Sequence, residues 1–455
     1  MPSALTLGSS TQGLTMYNKK PQKLFITIGF ACMSALAMHS AKANNTPELG
    51  SLYNPVEQFK TAIDLIEGQN TKADFSTGLK WLKLAAAQQY PQALYQLGFY
   101  YEYGIDEVER DYFKAADFYE KAAKQGHLES QFNLSALLLR ENTPTYNPKK
   151  GLFWLEQAAK QEDGEAQYSL AMLLEKEAKT NPDLATSSLS WLTKAANNGH
   201  RGSEYILGVR YLQGEGVKPD YQQAFNWFQK AAQQGDAAAQ FNTGLMYEQG
   251  TGVDQDMKLA IEWYQKAATQ GEAGAQFNLG NKYLFGSGTA QDTAKGIELI
   301  KNSAKSGNPA AQTMLGNMLT TGKFLGIDYA KAYQLYLDAA ENGYPEAQYQ
   351  LSLMFAKGQG VEMSHEKSVQ WIKKAAQSNH PLAQYGLGAY LANGVGVEKN
   401  LMEAAYWLSL AAAQGQKHAI ESRDSVMELL TREQLDTLKQ RINTFSSVPQ
   451  KIVTR

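Results

Sequence analysis

Cysteine is almost absent from this sequence. Its 455 residues include one, Cys32, which lies inside an apolar run near the N-terminus. A single cysteine excludes a disulfide within the sequence and any site that needs several thiolate ligands. Lipid modification of Cys32 is not expected, because the preceding GFA is a poor lipobox and apolar residues continue beyond it. If the run is removed, the remaining chain also lacks a thiol nucleophile.

An excess of basic charge is absent as well. The chain has 43 lysines and arginines against 45 acidic residues, which gives a formal net charge of −2 at pH 7. A protein that binds nucleic acid neutralises the phosphates with clustered lysine and arginine. We therefore expect no nucleic-acid partner.

The N-terminal residues have the pattern of a secretory signal. Three lysines precede the apolar run 24–38, and the small residues Ala41 and Ala43 mark a cleavage site. We expect residues 1–43 to be this signal, with Met16 as its start and cleavage after Ala43. The run is shorter than the roughly 20 residues of a membrane span, and a retained anchor is the alternative. The pattern predicts export, to the periplasm of a Gram-negative bacterium or as a secreted protein, with no membrane span after cleavage. The lysines are Lys19, Lys20 and Lys23.

Tryptophan marks an internal repeat. Its occurrences lie about 36 residues apart, or at multiples of that distance. Leu299 and Leu335 occupy the two empty positions of the series, and Tyr119 is assigned to the position between the first two tryptophans. A period of this length is typical of stacked helical repeats, in which each unit buries its apolar face against the next. The tryptophans are Trp81, Trp154, Trp191, Trp227, Trp263, Trp371 and Trp407.

Each repeat predicts two antiparallel helices. In one copy Ala237–Gln249 forms the first helix, Asp256 caps the second, and Gly271 ends it in a left-handed conformation. The second helix has apolar residues at helical spacing, and no segment alternates as a strand would. The predicted fold is all-α: an α-solenoid of about nine to ten antiparallel helix-pair repeats of about 36 residues, with terminal capping helices. A capping box at Thr431 and Gln434 predicts the start of the last helix.

The limits of the repeats predict four segments. Residues 1–43 are the signal, and 44–80 are an N-terminal capping helix and linker. The repeat array spans 81–418, and 419–455 form a C-terminal capping helix and a mobile tail.

Two stretches carry a family resemblance. They are AQFNLGNKYLFGSG, from Ala275, and AQYGLGAYLANGVGVEKNLMEAAYWLSLAAAQG, from Ala383. Both resemble the bacterial Sel-1-like repeat (SLR), a branch of the tetratricopeptide-like α-solenoids. Its pattern is A-x-x-x-L-G-x-x-Y-x-x-G-x-G-V, a variable stretch, and then A-x-x-W-x-x-x-A-A-x-x-G. The resemblance covers residues 81–418 and implies a scaffold or adaptor that binds another protein.

The sequence contains no recognisable catalytic or cofactor motif. The turn Gly250-x-Gly252 follows a helix and lacks the Gly-Lys-Ser/Thr of a phosphate loop, so we interpret it as a helix-ending turn. His127, His200 and His380 share a position just after a helix end, where we expect exposure to solvent, and no histidine pair has metal-ligand spacing. We expect no catalytic residue, no cofactor and no metal. A hydrolase with an unrecognised site is the enzymatic alternative.

A column of aromatic residues follows the Ala-Gln pair of successive repeats, with Thr313 as its break. If the units dock like tetratricopeptide repeats, this column lines a concave groove together with residues four and seven places later, among them Leu245, Glu248 and Leu353. No Lys or Arg occupies these positions in any repeat, so we expect an apolar, faintly acidic groove. The alternative is that the aromatic rings pack between neighbouring first helices. The column is Tyr95, Phe132, Tyr168, Tyr205, Phe241, Phe277, Tyr349 and Tyr385.

Two functions follow from these features. The first is an exported non-enzymatic scaffold that binds a protein or peptide partner through the concave face. The SLR resemblance implies roles for it in cell-envelope assembly, signalling or host interaction. The alternative is a module that binds cell-wall glycan or exported polysaccharide in the same groove, because aromatic faces stack on sugar rings.

Overall fold

The computed structural model of the chain describes residues 54–68 and 72–447, with side chains through residue 442. Within these ranges the chain forms 22 α-helices and no β-strand, which confirms the predicted all-α solenoid. The predicted signal at 1–43 lies outside the described residues. No helix in the described ranges is both long enough and apolar enough to cross a membrane.

Over the described ranges the helices pair in chain order into ten antiparallel hairpins and two further helices. The chain divides into two compact units, one ending at Gln234 and one beginning at Gly235. The first unit contains hairpins 1–5: α1 (Pro55–Glu67) with α2 (Phe75–Ala87), α3 (Pro91–Tyr103) with α4 (Tyr112–Ala123), α5 (Leu128–Leu138) with α6 (Pro148–Lys160), α7 (Gly164–Ala178) with α8 (Leu184–Asn197), and α9 (Arg201–Gln213) with α10 (Tyr221–Gln233). The second contains hairpins 6–10 and the last two helices: α11 (Ala237–Gln249) with α12 (Met257–Thr269), α13 (Ala273–Phe285) with α14 (Thr293–Lys305), α15 (Pro309–Thr321) with α16 (Tyr329–Glu341), α17 (Pro345–Lys357) with α18 (His365–Gln377), α19 (Pro381–Asn393) with α20 (Leu401–Ala413), then α21 (Lys417–Met427) and α22 (Arg432–Ser447).

The second helix of most hairpins begins at a capping side chain. Asp256 accepts a hydrogen bond from the backbone N–H of Leu259 at 3.0 Å, as the sequence predicts. Loss of such a cap costs about 1 kcal/mol, so each cap helps to fix where its helix begins. The predicted capping box is also confirmed, because the N–H of Thr431 donates to Gln434 and the N–H of Gln434 donates to Thr431. The equivalent caps are Asp74, Asp111, Asn147, Asp220, Asp292, Asp328, Ser364 and Asn400.

The two glycines of the Gly-x-Gly turn meet different demands. Gly250 ends α11 with a φ of 67°, and its N–H donates to the carbonyl of Met246. The second glycine of the next hairpin, Gly288, has a φ of 80°, and a Cβ there would overlap the side chain of Met257 in the preceding hairpin. The first glycine therefore reverses the chain. The second permits contact with the preceding hairpin at Gly288, Gly360 and Gly396, whereas a Cβ at Gly216 would meet no atom within 4 Å. Both roles are structural, in agreement with the interpretation from sequence.

Each hairpin closes where a small residue of its first helix meets a large side chain of its second helix. A Cβ at Gly244 would lie 2.8 Å from the ring of Tyr264, which is fully buried. Gly98 faces Tyr119 in the same way, with 2.6 Å between an added Cβ and the ring. Tyr119 therefore shares the position of Tyr264, and the prediction that it occupies the tryptophan position is wrong. Phe118, one residue earlier, occupies that position. The large side chains that share this position with Tyr264 are 0–3% exposed, and they are Leu82, Tyr119, Leu155, Leu192, Phe228, Tyr264, Ile300, Tyr336, Ile372 and Leu408.

A carboxamide bridge connects successive turns along one edge of each unit. Gln270, just after α12, donates from Nε2 to Oε1 of Gln240 at 2.8 Å and to the carbonyl of Gly235 at 3.1 Å. It thereby ties the end of a hairpin to the turn that precedes that hairpin. We call the row of these turns the turn edge. Equivalent bridging residues, with small variations in the acceptor, are Gln88, Gln125, Gln161, Asn198, Gln234 and Gln414.

We predict that Gly244→Val lowers the free energy of unfolding by roughly 1–3 kcal/mol, because the new side chain overlaps a fully buried ring. Urea denaturation followed by circular dichroism measures the change. Gly326→Val is the matched control, since a Cβ at Gly326 meets no atom within 4 Å. Equal losses in the two variants would contradict the proposed close contact.

Candidate functional site

The structure places all eight members of the aromatic column on first helices, where none is exposed. Phe241 and Tyr168 are buried, and the other six are half-buried. The ring of Phe241 lies 5.9 Å from that of Tyr264 in its own hairpin, and a Cβ at Gly274 of the next hairpin would lie 3.0 Å from it. The column therefore packs within and between hairpins, and only part of each half-buried ring is accessible to a partner.

Three histidines cover column tyrosines. The ring of His200 stacks on Tyr168 at 4.5 Å between centroids, and His380 stacks on Tyr349 at 4.9 Å. His127 lies 5.3 Å from Tyr95 in a tilted arrangement. Their side chains are only 12–13% exposed, so the expectation that this position faces solvent is wrong. The position looks permissive along the sequence because its contact is made with the preceding hairpin.

The same histidines also cap helices and meet carboxylates. Nδ1 of His380 accepts the N–H of Ala383 at 3.1 Å, which leaves Nε2 to donate to Glu346 at 2.8 Å. This hydrogen bond lowers the pKa of Glu346 below its ordinary value. Each histidine thus joins an aromatic ring, a helix start and a carboxylate. Across the described residues, no three His, Cys, Asp or Glu side chains gather as metal ligands.

The carboxylates of the predicted groove are neutralised by cations from the following hairpin. Glu248 forms an ion pair with Lys282 and accepts a hydrogen bond from Tyr264 at 2.6 Å. Glu102 pairs with Arg140 at 2.8 Å. The prediction of a cation-free, faintly acidic groove is therefore wrong at these points. The cations were missed because they lie at other positions of the repeat and reach the carboxylates from the next hairpin.

The remaining predicted groove residues differ in exposure along the second unit. Leu245 is buried beside Phe241, whereas Leu353 is half-buried on the same first helix as Tyr349. Tyr385, on the first helix of the next hairpin, is also half-buried. The accessible part of the predicted face in this unit thus includes hairpins 9 and 10.

A set of exposed apolar residues at the turns between paired helices was not predicted from the sequence. Phe285, Ile327 and Met363 are 55–61% exposed. Next to them, Phe324 has a φ of 74°, a left-handed conformation that costs a non-glycine residue about 1–2 kcal/mol. The detectable signal was the segment GKFLGI, which replaces Gly-x-Gly-Val in hairpin 8.

Comparison with known proteins identifies the repeat. The model of the Sel1 repeat matches ten segments: 58–90, 91–127, 128–163, 164–200, 202–236, 237–272, 273–308, 309–344, 345–380 and 381–416. The chain is similar to the solved structure of c5321, described as a protective antigen present in uropathogenic Escherichia coli strains and displaying an SLR fold. The identity is 26%, the TM-score is 0.60, and the match covers 88% of this chain and 94% of that one. It is also similar to a Sel1 repeat protein from Oxalobacter formigenes, with 30% identity, a TM-score of 0.47, and coverage of 53% and 96%. No curated protein matches the chain significantly.

We predict that His127→Asn reduces the loss of stability on acidification. Burial lowers the pKa of His127 below its ordinary value of 6.5, so the unfolded chain takes up the proton first and stability falls as the pH drops through 6.5. Asparagine keeps a capping side chain but does not titrate. The midpoint of urea denaturation is measured at about pH 7.5 and at about pH 5.5, because these values lie above and below the ordinary pKa of histidine.

The control for this prediction is His418→Asn, because His418 is exposed. We expect the control to follow the wild type between the two pH values. A His127→Asn variant that loses as much stability as the wild type would contradict the predicted role of burial.

Proposed function

The chain belongs to the Sel1 repeat family, whose solenoids are generally protein-interaction scaffolds, and from this premise we propose that it is an exported, non-enzymatic scaffold for a protein or peptide partner. The partner contacts the half-buried residues Tyr349, Leu353 and Tyr385 on first helices of the second unit, which we call the first-helix face. Cell-envelope assembly, signalling and host interaction are the roles that such an exported adaptor would serve.

One observation carries the choice of surface. Phe241 and Leu245 are buried in hairpin 6, whereas Tyr349, Leu353 and Tyr385 remain partly accessible in hairpins 9 and 10. Aromatic and aliphatic side chains that are already held in place lose little conformational entropy on binding, and such residues are common anchors in protein interfaces. We therefore place the partner against these three residues.

The geometry favours a polypeptide over a glycan at this surface. Sugar rings bind by stacking on an open aromatic face, but His380 already stacks on Tyr349 with an angle of 25° between the rings. What remains of Tyr349 suits packing and hydrogen bonding better than stacking. A cell-wall glycan or exported polysaccharide is the alternative ligand, and the experiment on these tyrosines distinguishes the two.

We predict that Tyr349→Ala with Tyr385→Ala weakens partner capture at least about tenfold, because truncation of two anchors removes a few kcal/mol of binding energy. The measurement is a pull-down from the envelope fraction with the purified chain as bait, quantified by mass spectrometry. Tyr221→Ala is the matched control, since Tyr221 is 50% exposed on a second helix of the other unit. Circular dichroism confirms that each variant is folded.

Equal capture by the double variant and the wild type would overturn the proposed surface. Binding of purified peptidoglycan or exported polysaccharide that disappears in the double variant, with no protein captured, would replace the scaffold proposal by the glycan one.

Export is proposed from the N-terminal pattern, and it predicts a new N-terminus at Asn44. The chain is expressed from Met16 in a Gram-negative host, and the protein in each cell fraction is characterised by mass spectrometry. We expect the periplasmic form to begin at Asn44, and Ala41→Arg with Ala43→Arg to block the cleavage. An uncleaved chain in the membrane fraction would favour the retained anchor, and an uncleaved chain in the cytoplasm would contradict export.

A further inference from the structure

The carboxamide bridge is missing from three consecutive hairpins of the second unit. Its position is held by Ser306, Asn342 and Ser378 in hairpins 7, 8 and 9. The serines are too short to span the gap, and the Nδ2 of Asn342 donates instead to the carbonyl of Asp338 in its own helix. Hairpins 6 and 10, on either side, keep the bridge through Gln270 and Gln414.

The glutamines that would accept the missing bridge are left with an unsatisfied oxygen. Oε1 of Gln276, Gln312 and Gln348 is buried without a hydrogen-bond partner, and the described part of the chain contains one other such side-chain atom, Nδ1 of His365. The three glutamine residues are only 5–9% exposed. The unsatisfied oxygens therefore coincide with the hairpins that lack the bridge.

A hydrogen bond to the preceding hairpin fixes the orientation of each of these three amides. Nε2 of each glutamine donates to a backbone carbonyl of the preceding hairpin, namely that of Ala268, Ala304 or Ala340. Turning an amide over would set its oxygen against that carbonyl oxygen, so the acceptor must stay on the turn edge. Each of the three hairpins therefore needs an N–H donor at the place where Gln270 supplies one in hairpin 6.

The turn edge is open at these places. Ser306, Asn342 and Ser378 are exposed. The second acceptor of a bridge lies 35 residues before the bridging side chain, which places it on the carbonyls of Gly271, Gly307 and Gly343. A Cβ at any of these glycines would meet no atom within 4 Å. A donor from outside can thus approach along the path that Gln270 takes in hairpin 6.

We propose that the turn edge of hairpins 7–9 recognises the primary carboxamides of an extended polypeptide, which supply the three missing bridges. A carboxamide is favoured over a cation because the bridged hairpins show that its NH₂ fits both acceptors, and because a neutral donor enters a buried position without the desolvation penalty of a charge. Packed helices lie about 8–10 Å apart, so we expect the open acceptors of neighbouring hairpins to be separated by about that distance. In a polyproline II segment every third residue returns to the same side after about 9 Å. A partner with glutamine at every third position would therefore present one carboxamide to each of the three hairpins.

This surface is distinct from the first-helix face, and its test does not depend on Tyr349 or Tyr385. The probe is a fluorescent peptide containing Gln-Pro-Pro-Gln-Pro-Pro-Gln, read by fluorescence anisotropy against the full chain. The matched probe replaces each glutamine by methionine, which has similar length and no donor. The protein variants are Ser306→Gln with Asn342→Gln and Ser378→Gln, which restores the bridges internally, and the same three positions changed to Ala, which leaves the acceptors open.

We expect the glutamine peptide to bind the wild type and the alanine triple variant alike, and to bind the glutamine triple variant at least about tenfold more weakly. The methionine peptide should bind all three weakly, and the glutamine triple variant should unfold at a higher temperature than the wild type. The proposal is overturned if the two peptides bind equally, if the glutamine triple variant binds like the wild type, or if its unfolding temperature does not rise, since the last result would mean that water already satisfies the acceptors. Retained peptide binding by the Tyr349→Ala, Tyr385→Ala variant would separate this site from the proposed partner face.

Discussion

The rest of the structure depends on the close approach of the two helices in each hairpin. Gly244 and Gly208 have no Cβ where the rings of Tyr264 and Phe228 lie against them, and an added Cβ would stand within 3 Å of either ring. This contact fixes the rotation of the second helix relative to the first. The tryptophan position, one residue before the buried ring, packs against the preceding hairpin at Trp154 and Trp227. The aromatic column packs within its own hairpin and against the neighbouring one.

The polar groups of the repeat are then used largely for joining hairpins. Carboxylates pair with cations of the next hairpin, histidines stack on the tyrosines of the preceding one, and carboxamides connect the turns. Where every such group is paired within the repeats, few polar atoms remain available to bind a partner. Of the two surfaces proposed to bind, the unbridged turn edge of hairpins 7–9 is a place where the repetition is incomplete. The column in hairpins 9 and 10 instead offers side chains that are only half-buried.

The features predicted correctly rest on contacts that are short in sequence. The cap at Asp256 and the capping box of Thr431 and Gln434 each join residues three positions apart. The features predicted wrongly rest on contacts between hairpins or on a one-residue shift. The cover of Tyr168 by His200 spans more than 30 residues, and Tyr119 was placed one residue out because large aromatic residues occupy both neighbouring positions, 118 and 119.

The sequence by itself determined the all-α class, the repeat length, the limits of a first helix such as Ala237–Gln249 and the structural nature of the Gly-x-Gly turns. It could do so because periodicity, capping and left-handed glycines act within a few residues of one another. Only the tertiary structure decided which side chains remain accessible and which polar atoms remain unsatisfied. Those properties depend on side chains that lie 30 or more residues away, in the same hairpin or in the next one. Identical repeat positions receive different partners when the distant residue changes: Gln240 is bridged by Gln270, whereas Gln276 has Ser306 at the bridging position and keeps an unsatisfied oxygen.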